Sequence, residues 1–159
     1  MDAERPAAGR PRKEWYASGL RFTCEAGCGL CCTGAPGFVW VTAEEIADIA
    51  ARLGLPADLF ARRCLRRVYG KVSLKEQPGG DCIFLERPAM TCGIYDVRPT
   101  QCRTYPFWPE ILRSREHWEA EAGVCPGLGA GRLHPGEECA RKAAETLLAK
   151  GAHGSPGVF

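Results

Sequence analysis

Four cysteines lie within nine residues in the stretch Cys24-Glu25-Ala26-Gly27-Cys28-Gly29-Leu30-Cys31-Cys32. Thiolates crowded in this way repel one another as anions and oxidise readily as neighbours, so a cation usually neutralises such a cluster. Four further cysteines follow at Cys82, Cys92, Cys102 and Cys125. The sequence therefore predicts a fold organised around a metal–thiolate centre.

A disulfide framework is the competing explanation, since the chain has ten cysteines. Disulfides need an oxidising compartment, and the first twenty residues contain neither an apolar signal-peptide core nor a small-residue cleavage site. No apolar run approaches the roughly 18 residues of a membrane span. Ten cysteines in 159 residues also fall below the roughly 8–10% of secreted disulfide scaffolds. We therefore expect a cytoplasmic protein with reduced thiols and no membrane partner.

The length and net charge are typical of a single-domain protein in which positive and negative residues are nearly equal in number. A chain of 159 residues is close to the commonest domain size. We expect a flexible N-terminal arm over 1–14, one small, loop-rich α+β domain over 15–150, and a frayed tail over 151–159. The net charge of +2 argues against a dedicated nucleic-acid partner and indicates no particular protein partner.

Periodicity and capping signals predict four helices. Thr42 and Glu45 form a capping box ahead of a helix that runs to Gly54. Further helices are expected over 56–67, 114–122 and 136–149. The last of these is predicted to bury a face comprising Ala140, Ala143, Ala144, Leu147 and Leu148.

Two short apolar runs, 82–85 and 91–95, predict a hairpin that carries one thiol on each strand. Pro99 is expected to begin a short helical turn that includes Cys102. His134 precedes Pro135 and is predicted to be a solvated loop residue rather than a ligand. Arg98 is equally compatible with a role in balancing thiolate charge and with stacking on a neighbouring tyrosine ring.

The spacing of Cys28 and Cys31 allows one tight turn to place two sulfurs on one metal. Cys31 and Cys32 are adjacent, and because neighbouring side chains diverge, the doublet predicts two ligand sets or a cluster with several metal atoms. Cys64 lies on the apolar face of a predicted helix, where it behaves as a small hydrophobe. Cys139 is predicted to be a spare thiol.

Several motifs occur in order along the chain: Phe22-Thr23-Cys24, Cys28-Gly29-Leu30-Cys31-Cys32-Thr33-Gly34, Cys82-Ile83-Phe84-Leu85, Cys92-Gly93-Ile94-Tyr95, Arg98-Pro99-Thr100-Gln101-Cys102-Arg103 and Cys125-Pro126-Gly127. Together they resemble the YkgJ-type cysteine-cluster family, which is described as a zinc- or iron-chelating CxxCxxCC domain. In this chain three residues, not two, separate Cys24 from Cys28. The resemblance implies metal binding through eight cysteines: Cys24, Cys28, Cys31, Cys32, Cys82, Cys92, Cys102 and Cys125.

The resemblance leaves the metal and the activity open. Zinc held by thiolates alone would be closed and structural, while an iron–sulfur cluster would allow redox chemistry. The crowded first run of cysteines resembles cluster-binding strings more than paired zinc knuckles, which slightly favours iron–sulfur. The family also includes flagellin lysine N-methylases. The alternatives to a plain metal-binding role are therefore an iron–sulfur-dependent redox or protein-lysine methyl-transfer enzyme, or a subunit of one, and a metal chaperone.

Overall fold

A computed structural model describes residues 14–34 and 36–151. Most of the predicted N-terminal arm and tail lies outside these residues. The described chain forms six α-helices and three two-stranded antiparallel sheets. The bounds are β1 Leu20–Phe22, α1 Ala43–Leu53, α2 Ala57–Cys64, β2 Leu65–Val68, β3 Lys71–Leu74, β4 Leu85–Glu86, β5 Thr91–Cys92, α3 Thr100–Thr104, α4 Pro109–Leu112, α5 Arg115–Glu121, β6 Leu128–His134 and α6 Gly136–Gly151. These elements confirm the α+β class.

The first of two hydrophobic cores is built by α1, α2 and the β2–β3 hairpin. The capping box predicted for α1 is present, with Thr42 and Glu45 exchanging hydrogen bonds, and Gly54 closes the helix in the left-handed conformation. Ile49 and Phe60 are fully buried at the centre of this core. The apolar spacing of the two helices thus fixes one half of the fold.

Helix α2 ends at Cys64, which corrects the prediction that it continues to residue 67. The next four residues form β2, which pairs with β3 across a turn at Tyr69 and Gly70, both with positive φ. Such a two-residue turn matches the twist of a hairpin and is the local signal that the helix prediction overlooked. The segment before α1 extends this small sheet, because Val41 donates a backbone hydrogen bond to Val72 and Leu74 donates one to Val39.

The second core lies between the β1–β6 pair and helices α4 to α6. Phe107, Trp118 and Cys139 are buried there. Helix α6 is present as predicted, but of its predicted inner face only Ala143 packs against the second core, and the other four residues are exposed. Among the residues it presents inward are Cys139 and Thr146, whereas Leu147 and Leu148 are 57% and 74% exposed. The inward position suits Thr146 because its hydroxyl lies 2.6 Å from that of Thr104 and 2.9 Å from the carbonyl oxygen of Lys142, so it is satisfied in the core.

His134 is buried, which corrects the prediction of a solvated loop residue. Its Nδ1 lies 3.0 Å from a carboxylate oxygen of Glu138, and its Nε2 lies 2.9 Å from the carbonyl oxygen of Phe22. Both partners are acceptors, so the ring fills both hydrogen bonds only when both nitrogens carry a proton. His134 therefore fastens the strand that leads to Cys24 onto the start of α6.

This contact predicts an acid-sensitive contribution to stability. The hydrogen bond from His134 lowers the pKa of Glu138, aided by the charges of His134, Lys142 and Arg132. A carboxyl with a depressed folded-state pKa contributes stability above its unfolded value of about 4.3, and this contribution is lost as the pH falls through the folded-state pKa. Glu138→Gln should lower the free energy of unfolding by about 1–2 kcal/mol at pH 7.

The measurement is urea unfolding of both proteins between pH 7 and pH 3. The gap between Glu138→Gln and the parent should close as the pH falls below about 4. A gap that is unchanged across this range would show that the carboxylate charge is not involved.

The side chain of Glu45 also reaches the helix that carries Cys102. One of its carboxylate oxygens accepts the backbone N–H of Thr42 at 2.9 Å, and the other accepts the backbone N–H of Thr100 at 2.7 Å. Gln101 adds a second link, because it accepts from the N–H of Trp40 and donates to the carbonyl of Phe38. Helix α3 is therefore held against the first core by side-chain hydrogen bonds at its first turn.

Candidate metal centre

The eight cysteines of the predicted ligand set converge on two adjoining cavities. The larger has a volume of 620 Å³ and is lined by all of them except Cys125. The smaller, of 180 Å³, is lined by Cys24, Cys28, Cys31, Cys102 and Cys125. Cys64 and Cys139 line neither cavity and are buried in the first and second cores respectively. All ten cysteines are free thiols, so the disulfide alternative finds no support.

Three thiols lie near that of Cys32, and we call Cys31, Cys32, Cys82 and Cys92 the Cys32 group. The other three thiols are close enough to Cys32 for each to raise its pKa. The backbone supports this arrangement, because the N–H of Cys82 donates to the carbonyl of Cys32 at 2.8 Å. Cys92 comes from β5, which pairs Cys92 with Leu85 of β4 and so confirms the predicted hairpin. Cys82 lies just before β4 rather than within it.

A close backbone contact packs the first cysteine run, residues 24–32, against the β4–β5 hairpin. Gly29 has a φ of +56°, and a Cβ atom at this position would lie 2.6 Å from the carbonyl oxygen of Met90. Only glycine accommodates both the left-handed conformation and this approach. A short 3₁₀ turn follows at Leu30–Cys32 and carries the cysteine doublet. Its two thiols are close enough for Cys32 to lower the pKa of Cys31, and the expectation that the doublet serves two ligand sets or a cluster with several metal atoms stays a prediction.

A second set, which we call the Cys125 group, comprises Cys24, Cys28 and Cys125. The N–H of Thr23 donates to the carbonyl of Gly127, and this contact brings the start of the first run beside Cys125. A Cβ atom on Gly127 would lie 2.2 Å from the carbonyl oxygen of Thr23, so the approach needs a glycine. Cys102 lines both cavities and is the thiol shared by their walls.

The thiols of the two groups are near neighbours but are not arranged as a coordination shell. Within residues 14–34 and 36–151, no three His, Cys, Asp or Glu side chains are arranged to hold a metal ion. The chemistry of the donors nevertheless fits zinc or iron, which soft thiolate ligands select. The Cys32 group also supplies four sulfurs, the number that a tetrahedral thiolate site takes.

Comparison with known protein families identifies the family of this cysteine-rich region. Residues 23–126 match the model of the CxxCxxCC domain. The chain belongs to the CxxCxxCC family. This family is described as a zinc- or iron-chelating domain, and its model begins one residue before Cys24 and ends one residue after Cys125.

An archaeal relative matches part of the chain. The uncharacterized protein MJ0661 of Methanocaldococcus jannaschii is 38% identical over 100 residues, which are 63% of this chain and 52% of the relative. The chain thus spans about half the length of the curated relative that it matches. No solved structure matches the chain. None of the described helices is long and apolar enough to cross a membrane.

The CxxCxxCC thiols differ in how readily they ionise. Hydrogen bonding from Cys32 and the charge of Arg98 lower the pKa of Cys31 to about 7, against the opposing effect of burial. Hydrogen bonds from Cys32 and from the backbone at Ile94 lower the pKa of Cys92 to about 6. Cys32, as the common donor, has its pKa raised, and burial raises that of Cys102. The proximity of Cys32 also lowers the pKa of Cys82 against the opposing effect of burial, so Cys31, Cys82 and Cys92 are the thiols of this group whose ionisation is favoured.

Arg98 has both of the roles that the sequence left open. Its guanidinium carbon lies 3.7 Å from the centre of the Tyr95 ring, and its Nε donates to the Tyr95 carbonyl at 3.1 Å. It also lines both cavities, where its charge favours the thiolates of Cys31 and Cys92. Arg103 donates to the carbonyl of Arg98 and thus supports the loop.

Sequence reasoning missed a tyrosine–glutamate pair at the boundary of the two cavities. The hydroxyl of Tyr105 donates to a carboxylate oxygen of Glu121 at 2.6 Å and also hydrogen-bonds with Cys125. Burial and these two acidic neighbours raise the pKa of Tyr105. Tyr105 lies two residues after the motif that ends at Arg103, and Glu121 is 16 positions further along the chain, so the sequence gives no local signal of their contact.

Proposed function

We propose that this protein binds zinc, iron or an iron–sulfur cluster through the eight cysteines of the Cys32 group, the Cys125 group and Cys102. The observation that supports this most directly is the convergence of thiols from residues 24 to 125 on two adjoining cavities, while the other two cysteines lie in hydrophobic cores. Crowded thiols of this kind need a cation once they ionise.

The cysteines, Arg98 and Tyr105 would each contribute to metal binding in a different way. The Cys32 group brings four sulfurs into one neighbourhood, and the pKa values of three of them, Cys31, Cys82 and Cys92, are lowered by their proximity to Cys32. Arg98 offsets part of the negative charge that four thiolates create, as supporting residues around metal ligands do. Tyr105 orients the Cys125 thiol by hydrogen bonding. When bound, zinc would supply a rigid structural link, and iron–sulfur would supply redox chemistry.

The test is the metal content of protein purified without oxygen. Elemental analysis and native mass spectrometry should find zinc or iron, and the bound metal should protect the eight cysteines from alkylation. A brown sample with broad absorption near about 400 nm would identify an iron–sulfur cluster, and a colourless sample would identify zinc. A metal-free protein whose cysteines have paired as disulfides would overturn the proposal.

A second candidate is an enzyme, or part of one, in which the metal centre serves redox or protein-lysine methyl-transfer chemistry. The observation that favours it is the size of the larger cavity, 620 Å³ beside the thiols, which a closed structural site does not need. The methyl-transfer version rests on family analogy alone. Lysine-methyl-transfer activity in the purified protein, or reversible one-electron reduction of an iron centre, would distinguish the enzyme from a plain metal-binding role.

A further inference from the structure

The larger cavity is far roomier than a metal ion requires. A thiolate-bound ion takes the place of the thiol protons between sulfurs that already lie near one another. Sites for small organic molecules have volumes of about 300–1,000 Å³. At 620 Å³, the cavity falls within this range.

The wall away from the thiols is mainly apolar. It includes Val39, Leu74, Ile94, Met90, Val124 and Trp108. Val39, Leu74 and Ile94 belong to or pack against the first core, so this part of the wall is preformed. Val124 stands at the rim, where 54% of its surface is exposed. Such a wall favours a ligand whose surface is mostly hydrocarbon.

The charged residues that line the cavity determine which polar group such a ligand would carry. The charged side chains of the lining are Glu25, Arg98 and Glu121. Glu121 is already engaged by Tyr105, and Glu25 is exposed to solvent. Stacking on Tyr95 fixes the plane of the Arg98 guanidinium, and only its Nε is engaged in hydrogen bonding within residues 14–34 and 36–151. Its two Nη groups remain available for the two oxygens of an oxyanion.

We infer that the larger cavity binds a small organic molecule of mainly apolar surface, with one carboxylate or similar oxyanion paired to Arg98. This inference rests on the proposed function, because the thiols that form the other wall are those assigned to the metal. The ligand occupies the apolar part of the cavity, and Arg98 holds its anionic end beside the metal-binding thiols.

Two fluorescent probes test this binding on the full chain purified anaerobically with its metal. One is 1-anilinonaphthalene-8-sulfonate, which is apolar with one anionic group, and the other is its uncharged analogue N-phenyl-1-naphthylamine. Both should bind saturably at one site per chain, with the sulfonate binding more tightly. Arg98→Gln should weaken binding of the sulfonate by about tenfold, the loss expected for one charge-assisted contact, and leave the uncharged probe little changed.

Matched variants separate the cavity from the rest of the surface. Arg67→Gln removes the same charge from an exposed position on β2 that lines neither cavity, and it should leave both affinities unchanged. Val124→Trp should fill the rim and abolish binding of both probes, whereas Val124→Ala should preserve it. Near-ultraviolet circular dichroism and the metal-to-protein ratio, recorded for every variant, exclude unfolding as the cause.

The outcomes distinguish this inference from the proposed function. Metal-loaded protein that binds neither probe, or binds them equally well in Val124→Trp, overturns the ligand site and leaves metal binding intact. Equal loss of the sulfonate in Arg98→Gln and Arg67→Gln overturns the role of Arg98. Saturable, Val124-dependent binding to protein that holds no metal overturns the proposed function but not the cavity.

Discussion

Replacing Cys32 by serine is expected to remove most of the bound metal. Cys32 is the thiol that lies near Cys31, Cys82 and Cys92, so its loss leaves three sulfurs without their common neighbour. A serine hydroxyl is a poor substitute, because zinc and iron clusters prefer soft thiolate ligands. We expect the metal-to-protein ratio of Cys32→Ser to fall by more than half. Cys102→Ser should also lose metal, since this thiol lines both cavities.

Two other cysteines provide matched controls. Cys64 lies in the first core and Cys139 in the second, and both are buried away from the thiol cavities. Cys64→Ala and Cys139→Ala should retain the full metal content and lose only packing, about 1 kcal/mol each, comparable to one buried methylene. Elemental analysis of all four variants gives the comparison. Metal loss from either alanine variant as severe as that from Cys32→Ser would invalidate the division into eight ligands and two bystanders.

Removing the metal is expected to unfold the region around the thiols and to destabilise the whole domain. Cys82 and Cys92 pack against the first core, whereas Cys125 packs against the second. The first cysteine run contributes no buried residue to either core, so little besides the thiols and a few backbone contacts orders it. Structural zinc contributes roughly 10–16 kcal/mol of apparent binding free energy in small domains. Comparable binding here would be as large as the whole typical stability of a domain, about 5–15 kcal/mol.

Thermal melts with and without a strong chelator, under reducing conditions, measure this effect. The metal-free protein should lose its cooperative transition or melt at a much lower temperature. Hydrogen exchange should show the largest loss of protection in residues 23–34 and 82–95, whereas α1 and α2 should lose protection last because Ile49 and Phe60, at the centre of their core, line neither thiol cavity. An unchanged melt in protein shown to be free of metal would contradict the expectation.

The features that could be predicted from sequence are those whose cause is local. The Thr42–Glu45 box needs only a hydroxyl and a carboxylate three residues apart, and it appears as expected. The end of α2 could not be predicted as easily, because β2 depends on pairing with β3, which also pairs with the distant segment before α1. Likewise, α6 exposes Leu147 and Leu148 because its inward side is set by neighbours such as Thr104, not by the apolar pattern of the helix itself.

In the candidate site, too, features with a local cause could be predicted and features that depend on distant contacts could not. The eight cysteines that spacing and family resemblance predict as ligands are those that line the two cavities, and their role as ligands stays a prediction. Spacing and resemblance could not show that the adjacent thiols of Cys31 and Cys32 lie close together, since the 3₁₀ turn that joins them is seated by the contact of Gly29 with Met90. Nor could they show the pairing of Tyr105 with Glu121, which depends on how α5 packs.

The carboxylate of Glu45 serves two helices at once, the first turn of α1 and the N–H of Thr100 in the helix that carries Cys102. A substitution at position 45 therefore disturbs a thiol 57 positions further along the chain without touching it. Selection acting on Cys102 should constrain Glu45 as well, and the two positions should change together over evolutionary time. Relatives that lack a cysteine at 102 should tolerate many residues at 45, whereas those that keep the cysteine should retain an acidic or amide side chain there.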